Sequence, residues 1–256
     1  MSKKEISPAA KFFKENGWVK IDKVIDKDMA YFAYQYVKFC ATRLNLLDNT
    51  LGFGNYNEDV FGTFEDKQAP GDYSRYGDMF FDTLMVLLTE RIENAAGVKL
   101  MPTYTYHRLY TKGTELTRHK DRPSCAISTT MCLGYDTENL KDKSYNWPMF
   151  VGPKNGEKGT EGTPVYLQPG DLILYKGCEV EHWREPFIGN NHAQVFLHYN
   201  EKDGKNAFQY DKRPFIGLPK DIFSVQKKYS LESKEDKKQI VYDWYKTILE
   251  YKINKR

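Results

Sequence analysis

The sequence predicts an α+β protein whose core is a double-sheet jelly roll or a small barrel. Before Gly97 the apolar residues recur at helical spacing, whereas after it short runs alternate between polar and apolar residues. Eight such runs lie within about a hundred residues, and turns rich in Gly and Pro separate them. Aromatic residues make up 15% of the chain, which indicates a folded protein rather than a disordered one.

The N-terminal part of the chain is predicted to support this core with helices. Ser7 can cap a short helix that has Pro8 in its first position and Gly17 beyond its end. In the second helix, a stripe of apolar residues that includes Met29 and Phe32 is predicted to be buried. The other elements predicted here are a strand at 18–25 and two long helices at 28–46 and 78–96.

The strand-rich part of the chain, residues 98–200, is predicted to form the jelly-roll core. Residues 201–256 are predicted to extend it with a polar segment and an amphipathic helix at 233–252. With the helical support at 1–97, these parts are predicted to form one domain that spans residues 1–256. The predicted strands lie at 103–110, 115–121, 125–133, 147–151, 164–167, 171–175, 181–185 and 193–199.

Charge and cysteine content argue against several classes of protein. The 38 Lys and Arg against 35 Asp and Glu give a net charge of +3 over 256 residues, which does not indicate nucleic acid or a membrane surface as a partner. No apolar run approaches the roughly 18 residues of a membrane-spanning helix. The four cysteines form no CxxC pair, so we expect a cytoplasmic protein with reduced thiols. Composition leaves the oligomeric state open.

Three residues in the strand-rich part are candidate metal ligands. His119 and Asp121 are two positions apart in a predicted strand, so their side chains point to the same face. His182 begins a later predicted strand and is the candidate for a third ligand. Two histidines and one carboxylate form the facial set that is typical of non-haem Fe(II) oxygenases. The spacing alone leaves an alternative open, in which Asp121 pairs with Arg122 or Lys120 and His182 is structural.

Longer motifs around these residues carry a family resemblance. The chain resembles the 2-oxoglutarate/Fe(II)-dependent oxygenases of the prolyl-4-hydroxylase-like and phytanoyl-hydroxylase-like group over about residues 7–200. The motifs are Phe13-Lys-Glu-Asn-Gly17-Trp-Val-Lys-Ile, Tyr110-x-x-Gly113-x-x-Leu116-x-x-His119-Lys-Asp121, Gly170-Asp171-Leu-Ile-Leu-Tyr, His182-Trp-Arg-Glu-Pro-Phe and Gln194-Val-Phe-Leu-His-Tyr199.

The resemblance implies a fold, an activity and a set of cofactors. The fold is a double-stranded β-helix, or cupin-like jelly roll, flanked by N-terminal helices and a C-terminal helix. Fe(II) would be bound by His119, Asp121 and His182, with 2-oxoglutarate as cosubstrate, O2 as oxidant and ascorbate as a further reductant. The implied reaction hydroxylates a C–H bond, in a prolyl or other side chain of a protein or peptide or in a small molecule, and releases succinate and CO2. The alternatives are a non-catalytic jelly-roll binding protein and a metal-dependent hydrolase or isomerase.

The residue that binds the distal carboxylate of 2-oxoglutarate departs from the family pattern. The resemblance implies a Lys or Arg about ten residues after the second histidine, where this chain has His192. Arg184 offers a guanidinium fork suited to a carboxylate, and Tyr110 resembles the family tyrosine that hydrogen-bonds the same group. We predict that Tyr110 and Arg184 bind it, with His192 as the alternative and Arg108 and Arg122 in reserve.

Two other features have competing interpretations. Arg184 could instead form a structural salt bridge with Glu181 or Glu185, its neighbours in sequence. The segment 54–76, rich in Tyr, Phe and Asp within an irregular loop predicted at 48–76, is either a lid over the iron or a loop on the outside of the sheet.

Overall fold

The computed structural model describes residues 6–47 and 58–205. The described α-helices are α1 (Pro8–Asn16), α2 (Lys27–Asn45), α3 (Glu58–Phe61) and α4 (Met79–Ala96). The described strands are β1 (Trp18–Ile21), β2 (Tyr73–Tyr76), β3 (Leu100–Thr111), β4 (Leu116–His119), β5 (Ile127–Asp136), β6 (Met149–Val151), β7 (Thr163–Val165), β8 (Leu172–Tyr175), β9 (His182–Arg184) and β10 (Asn191–Glu201).

The strands form two antiparallel sheets, which confirms the predicted jelly-roll core. The larger sheet has the strand order β1-β8-β5-β10-β3-β2, and the smaller has the order β4-β9-β6-β7. Neither sheet closes on itself, so the core is an open double-stranded β-helix and not a barrel. All eight strands predicted after Gly97 are present, although several are shorter or longer than the alternating runs.

One strand was not predicted from the sequence. β2 lies within the segment predicted to be an irregular loop, and it pairs antiparallel with residues Tyr106–Leu109 of β3. Its four residues are too short to show a clear alternation, and a chain rich in turn-forming residues precedes them. β2 therefore forms through pairing with its long neighbour and not through a local pattern.

The short N-terminal helix begins and ends as predicted. The Ser7 hydroxyl accepts a hydrogen bond from the Ala10 amide at 3.1 Å, and Pro8 occupies the first helical position. Gly17 follows the last turn with φ of 78°, a left-handed conformation that favours glycine, and its amide donates to the Phe13 carbonyl.

The predicted buried face of α2 was partly wrong. Met29 and Phe32 are exposed, at 44% and 59%, whereas Ala30, Ala33 and Tyr34 are buried against the larger sheet. The cause is a close approach at Gly134 of β5, where an added Cβ would lie 2.7 Å from the Tyr34 ring. The helix therefore turns Tyr34, Val37 and Leu44 inward together with its alanines, while Met29 and Phe32 face outward.

The hydrophobic core has two layers, one on the outer face of the larger sheet and one between the two sheets. Helices α2 and α4 pack on the outer face of the larger sheet, where the main cluster is centred on Val37, Phe81 and Val195. Smaller clusters between the two sheets include Ile173 and Trp147. Among the described residues, no helix is both long and apolar enough to cross a membrane. The helix predicted at the C-terminus lies outside the described residues.

A buried histidine in the outer layer leads to a prediction about stability. His107 of β3 is fully buried between Phe81 and Tyr73, and neither ring nitrogen has a hydrogen-bond partner within the described structure. Burial lowers the pKa of His107 from 6.5 to about 3. Below pH 6.5 the unfolded chain therefore binds a proton at His107 that the folded chain does not bind. As the pH falls toward 3, this group lowers the free energy of unfolding by about 1.4 kcal/mol per pH unit.

We expect His107→Leu to remove this pH dependence and to stabilise the protein. Leucine has a similar volume and leaves no buried polar atom without a partner, so the gain at pH 7.5 should be about 1 kcal/mol. The gain should grow as the pH falls to 5.5, as measured by guanidinium unfolding of the full chain. Leu109→Ala on the same strand is the control, because its effect should not depend on pH. Parallel pH profiles for the wild type and His107→Leu would contradict the prediction.

Candidate metal centre

A cavity of about 640 Å³ opens between the two sheets, and polar residues from both sheets line it. His119, Asp121 and His182, from the smaller sheet and the chain after β4, lie in its wall. The inner faces of β5 and β10 in the larger sheet contribute Thr130 and Gln194 among others. The cavity therefore brings together residues that are far apart in sequence.

The three predicted metal ligands converge on one point. β4 pairs antiparallel with β9 so that His119 lies opposite His182, and their ring centroids are 4.2 Å apart. Asp121 Oδ1 lies 3.7 Å from His119 Nε2 and 3.6 Å from His182 Nε2. The candidate donor atoms of the three residues all lie within 4.8 Å of one another. A single metal ion between them would contact two imidazole nitrogens and one carboxylate oxygen.

Backbone hydrogen bonds fix the orientation of both imidazole rings. His119 Nδ1 donates to the Thr117 carbonyl at 2.8 Å, and His182 Nδ1 donates to the Val180 carbonyl at 3.1 Å. Because a carbonyl can only accept, each ring carries its proton on Nδ1 and presents a lone pair on Nε2. Burial lowers the pKa of His119, which further favours the neutral ring that a metal requires.

Asp121 is held as a carboxylate with one oxygen directed toward the histidines. Although burial opposes ionisation, interactions with His182, His198 and His119 hold the pKa of Asp121 well below its usual range. The Asp121 amide donates to the Gly177 carbonyl at 2.8 Å, and the Ser128 hydroxyl donates to Asp121 Oδ2 at 2.8 Å. Oδ1 is therefore the oxygen that remains for a metal.

A second group of possible ligands shares Asp121 with the first. It contains Cys125 and His198. In that group Cys125 Sγ lies 2.9 Å from the Tyr104 hydroxyl, and burial raises the pKa of the thiol to about 11. The Ser128 hydroxyl lies between His198 and the carboxylate. These side chains already bond one another, so the geometry favours the group with His119 and His182 as the metal position.

Arg184 lines the same cavity as a buried cation that has no anionic partner in the described part of the chain. Its Nη1 donates to the Trp147 carbonyl at 2.7 Å, and its guanidinium lies 4.7 Å from the Trp147 ring centroid. Nη2 has no hydrogen-bond partner, and among the described residues no carboxylate lies within 4.0 Å of the guanidinium. Burial lowers the pKa of Arg184 to about 10, so the side chain stays charged at neutral pH.

The alternative salt bridges of Arg184 are not formed. Glu181 instead accepts from Arg118 at 3.2 Å and from the Gly159 amide at 3.0 Å. Glu185 accepts from the Trp183 indole at 3.2 Å. Because side chains alternate along β9, Arg184 shares the inward face with His182 and not the outward face of Trp183.

The other two residues predicted to bind the cosubstrate lie behind the cavity wall. His192 is buried between Tyr135 and Trp147, and burial together with the charge of Arg184 lowers the pKa of His192 well below 6.5. It is therefore neutral near pH 7 and offers no positive charge. Tyr110 is fully buried, and its hydroxyl lies 3.4 Å from Arg108 Nη1. Neither residue contributes to the lining of the cavity.

The two reserve arginines are on the cavity wall with partners of their own. Arg108 pairs with Asp66 at 2.9 Å and donates to Gln68 Oε1 at 2.9 Å. Arg122 donates to the Tyr104 hydroxyl at 3.1 Å. The pair with Asp66 also ties the segment before β2 to β3, so the described part of the predicted lid borders the cavity instead of lying outside the sheet.

Sequence reasoning missed several polar residues of the cavity. Gln194 is fully buried on the wall, and neither polar atom of its side-chain amide has a hydrogen-bond partner among the described residues. Ser128 donates a hydrogen bond to the candidate ligand Asp121, and His198 contacts Ser128. The signal that could have found them is strand parity, since Ser128 and Thr130 share one face of β5 while Gln194 and His198 share one face of β10.

Comparisons with known proteins agree with this geometry at the level of the fold. No protein-family model and no curated protein sequence matches the chain. A prolyl-4-hydroxylase from Pseudomonas putida matches with a TM-score of 0.55 at 12% identity, over 77% of this chain and 99% of that one. A 2OG-Fe(II) oxygenase family oxidoreductase from Burkholderia pseudomallei matches with a TM-score of 0.51 at 15% identity, over 83% and 96%.

A third solved structure contains a bound peptide fragment. It is a prolyl hydroxylase from Trichoplax adhaerens in complex with a peptide fragment of the oxygen degradation domain of hypoxia inducible factor. It matches with a TM-score of 0.51 at 13% identity, over 79% of this chain and 91% of that one. The chain thus has the fold of the 2-oxoglutarate/Fe(II) oxygenases, as its sequence motifs predicted.

Proposed function

We propose that the protein is a 2-oxoglutarate-dependent non-haem iron oxygenase. The observation that carries the proposal is one cavity that holds both an open two-histidine, one-carboxylate set and an unpaired buried arginine. The first is suited to Fe(II) with positions left for other ligands, and the second to an anion. The two features together favour an enzyme that binds both a metal and an anionic cosubstrate.

The donor set fits Fe(II). Neutral imidazoles and a single carboxylate suit a first-row divalent ion, and the backbone bonds to both Nδ1 atoms raise the basicity of the facing nitrogens. When bound, the iron would supply the chemistry that couples O2 and 2-oxoglutarate to the oxidation of a C–H bond. The role of His119, Asp121 and His182 is to hold the ion on one side and leave the other side open.

The spacing along β9 fits the cosubstrate. His182 and Arg184 are two residues apart on one face, which corresponds to about 6–7 Å along the strand. That distance suits a five-carbon dicarboxylate that reaches the metal with its 2-oxo acid end and Arg184 with its distal carboxylate. On the opposite wall, Gln194 of β10 offers side-chain amide atoms that have no hydrogen-bond partner among the described residues. Tyr110 and His192 are proposed to support this subsite from behind the wall.

We propose hydroxylation of a protein or peptide side chain as the reaction. The prolyl hydroxylases among the similar structures support this substrate class, one of them in complex with a peptide. The described cavity wall away from Arg184 is aromatic, with Tyr76, Tyr104 and Phe196 available to exclude water and pack against a side chain. The polar segment before β2 borders the same space.

Anaerobic titration of the purified full chain tests the oxygenase proposal. With Fe(II) and 2-oxoglutarate together, we expect a weak charge-transfer band in the visible region that neither component gives alone. Zn(II) with 2-oxoglutarate is the control, since it should bind without the band. After addition of O2, succinate should appear. A chain that binds Fe(II) but shows neither the band nor succinate would contradict the proposal and favour a metal-dependent hydrolase.

A further inference from the structure

Ser128 joins a metal ligand to the opposite wall of the cavity. Its hydroxyl lies 2.8 Å from Asp121 Oδ2, 3.0 Å from His198 Nδ1 and 3.0 Å from the Cys125 carbonyl. Ser128 is on β5 and His198 is on β10, and the two residues lie opposite each other in the register of the larger sheet. The contact therefore connects the larger sheet to the Asp121 carboxylate.

The proton positions in this contact have a defined direction. A carboxylate and a carbonyl only accept hydrogen bonds, so the single Ser128 proton lies between Asp121 Oδ2 and the Cys125 carbonyl, with Asp121 Oδ2 the nearer acceptor, and the hydroxyl oxygen has lone pairs left for His198. His198 must then donate from Nδ1, which gives the chain His198 Nδ1–H to Ser128 O–H to Asp121 Oδ2. His198 is nearly buried and packs against the Tyr104 ring at 4.5 Å, so its ring is held in place.

Building on the proposed metal centre, we propose that Ser128 and His198 are positioning residues that set how Asp121 binds the metal. With Oδ2 engaged by Ser128, Asp121 presents Oδ1 alone to the ion. Loss of the hydroxyl frees the carboxylate to rotate and to offer both oxygens, which would occupy a position that 2-oxoglutarate needs. His198 acts through Ser128, because it orients the lone pairs of the hydroxyl and thereby its proton.

Metal affinity measured with Co(II) tests this inference. We expect Ser128→Ala to weaken Co(II) binding by about 10- to 100-fold, the usual effect of removing a residue that supports a metal ligand. The visible Co(II) bands, which report coordination geometry, should also change. Ser124→Ala is the matched control, because that buried hydroxyl lies in the same segment and contacts the Cys125 thiol.

Variants at His198 show whether this residue acts through its hydrogen bond to Ser128 or only through packing. His198→Asn keeps a donor close to the position of Nδ1 and should retain near-normal Co(II) affinity, whereas His198→Leu should lose several-fold. The double variant Ser128→Ala/His198→Leu should bind Co(II) as Ser128→Ala does, because the histidine acts through the serine.

Three results would overturn the inference. They are Co(II) affinity in Ser128→Ala within twofold of the wild type, equal losses in His198→Asn and His198→Leu, and additive losses in the double variant. The expected Co(II) effects without any 2-oxoglutarate-dependent band in the iron protein would refute the oxygenase proposal and leave this inference standing.

Discussion

Replacing Asp121 with alanine is expected to weaken Fe(II) binding by more than 100-fold and to abolish turnover. Among the residues that the structure describes, Asp121 supplies the only carboxylate that faces both His119 and His182. The two imidazoles alone give a neutral, two-coordinate site, and the loss of a ligand must exceed the about 10- to 100-fold cost of losing a supporting residue. The measurement is anaerobic titration with Fe(II), followed by the 2-oxoglutarate band and succinate release.

Asp72→Ala provides the control for this variant. Asp72 is also a buried carboxylate that accepts hydrogen bonds, from the amide and hydroxyl of Thr111, but it does not line the cavity. We expect this change to leave the Fe(II) affinity intact, with any loss confined to stability. If Asp121→Ala still bound Fe(II) tightly, the metal site would have to lie elsewhere, and the proposed function would lose its basis.

The sequence was sufficient to predict the fold and to select His119, Asp121 and His182 as the three residues that converge in the cavity. Alternation in the strand-rich part predicted eight strands, and the capping residues Ser7 and Gly17 marked the first helix. These three residues are predictable because His119 and Asp121 are two residues apart at the end of a strand. The register that places His119 opposite His182 could not be predicted, because it includes an irregularity between Leu116 and His119.

Contacts between distant residues explain what could not be predicted. Ser128 and His198 are 70 positions apart, and only the pairing of β5 with β10 brings them together. Within the described residues, Arg184 has no anionic partner because Glu181 and Glu185 bond other groups, and their directions follow from the pairing of a three-residue strand. The orientation of α2 likewise depends on one glycine in a strand about a hundred residues away.

Replacing Arg184 with leucine is expected to weaken 2-oxoglutarate binding to the iron-loaded protein by about 100-fold or more. Loss of one partner of a buried charge pair costs about 2–5 kcal/mol. The guanidinium has no carboxylate partner of its own among the described residues, so leucine should leave the free energy of unfolding unchanged or raise it. Arg184→Lys should restore part of the affinity, because it returns the charge without the two-pronged geometry.

A ligand without the distal carboxylate makes this prediction specific to Arg184. 2-Oxopentanoate keeps the 2-oxo acid end but lacks the second anion, so its affinity should be the same in the wild type and in Arg184→Leu. Arg118→Leu is the matched control, since that arginine packs on the outer face of Trp183 at 3.3 Å from the ring centroid. Equal 2-oxoglutarate affinity in Arg184→Leu and the wild type would mean that another residue binds the distal carboxylate. His192 would then be the next residue to replace in the same binding measurement. Its neutral ring could supply a hydrogen bond to the carboxylate but no charge at pH 7.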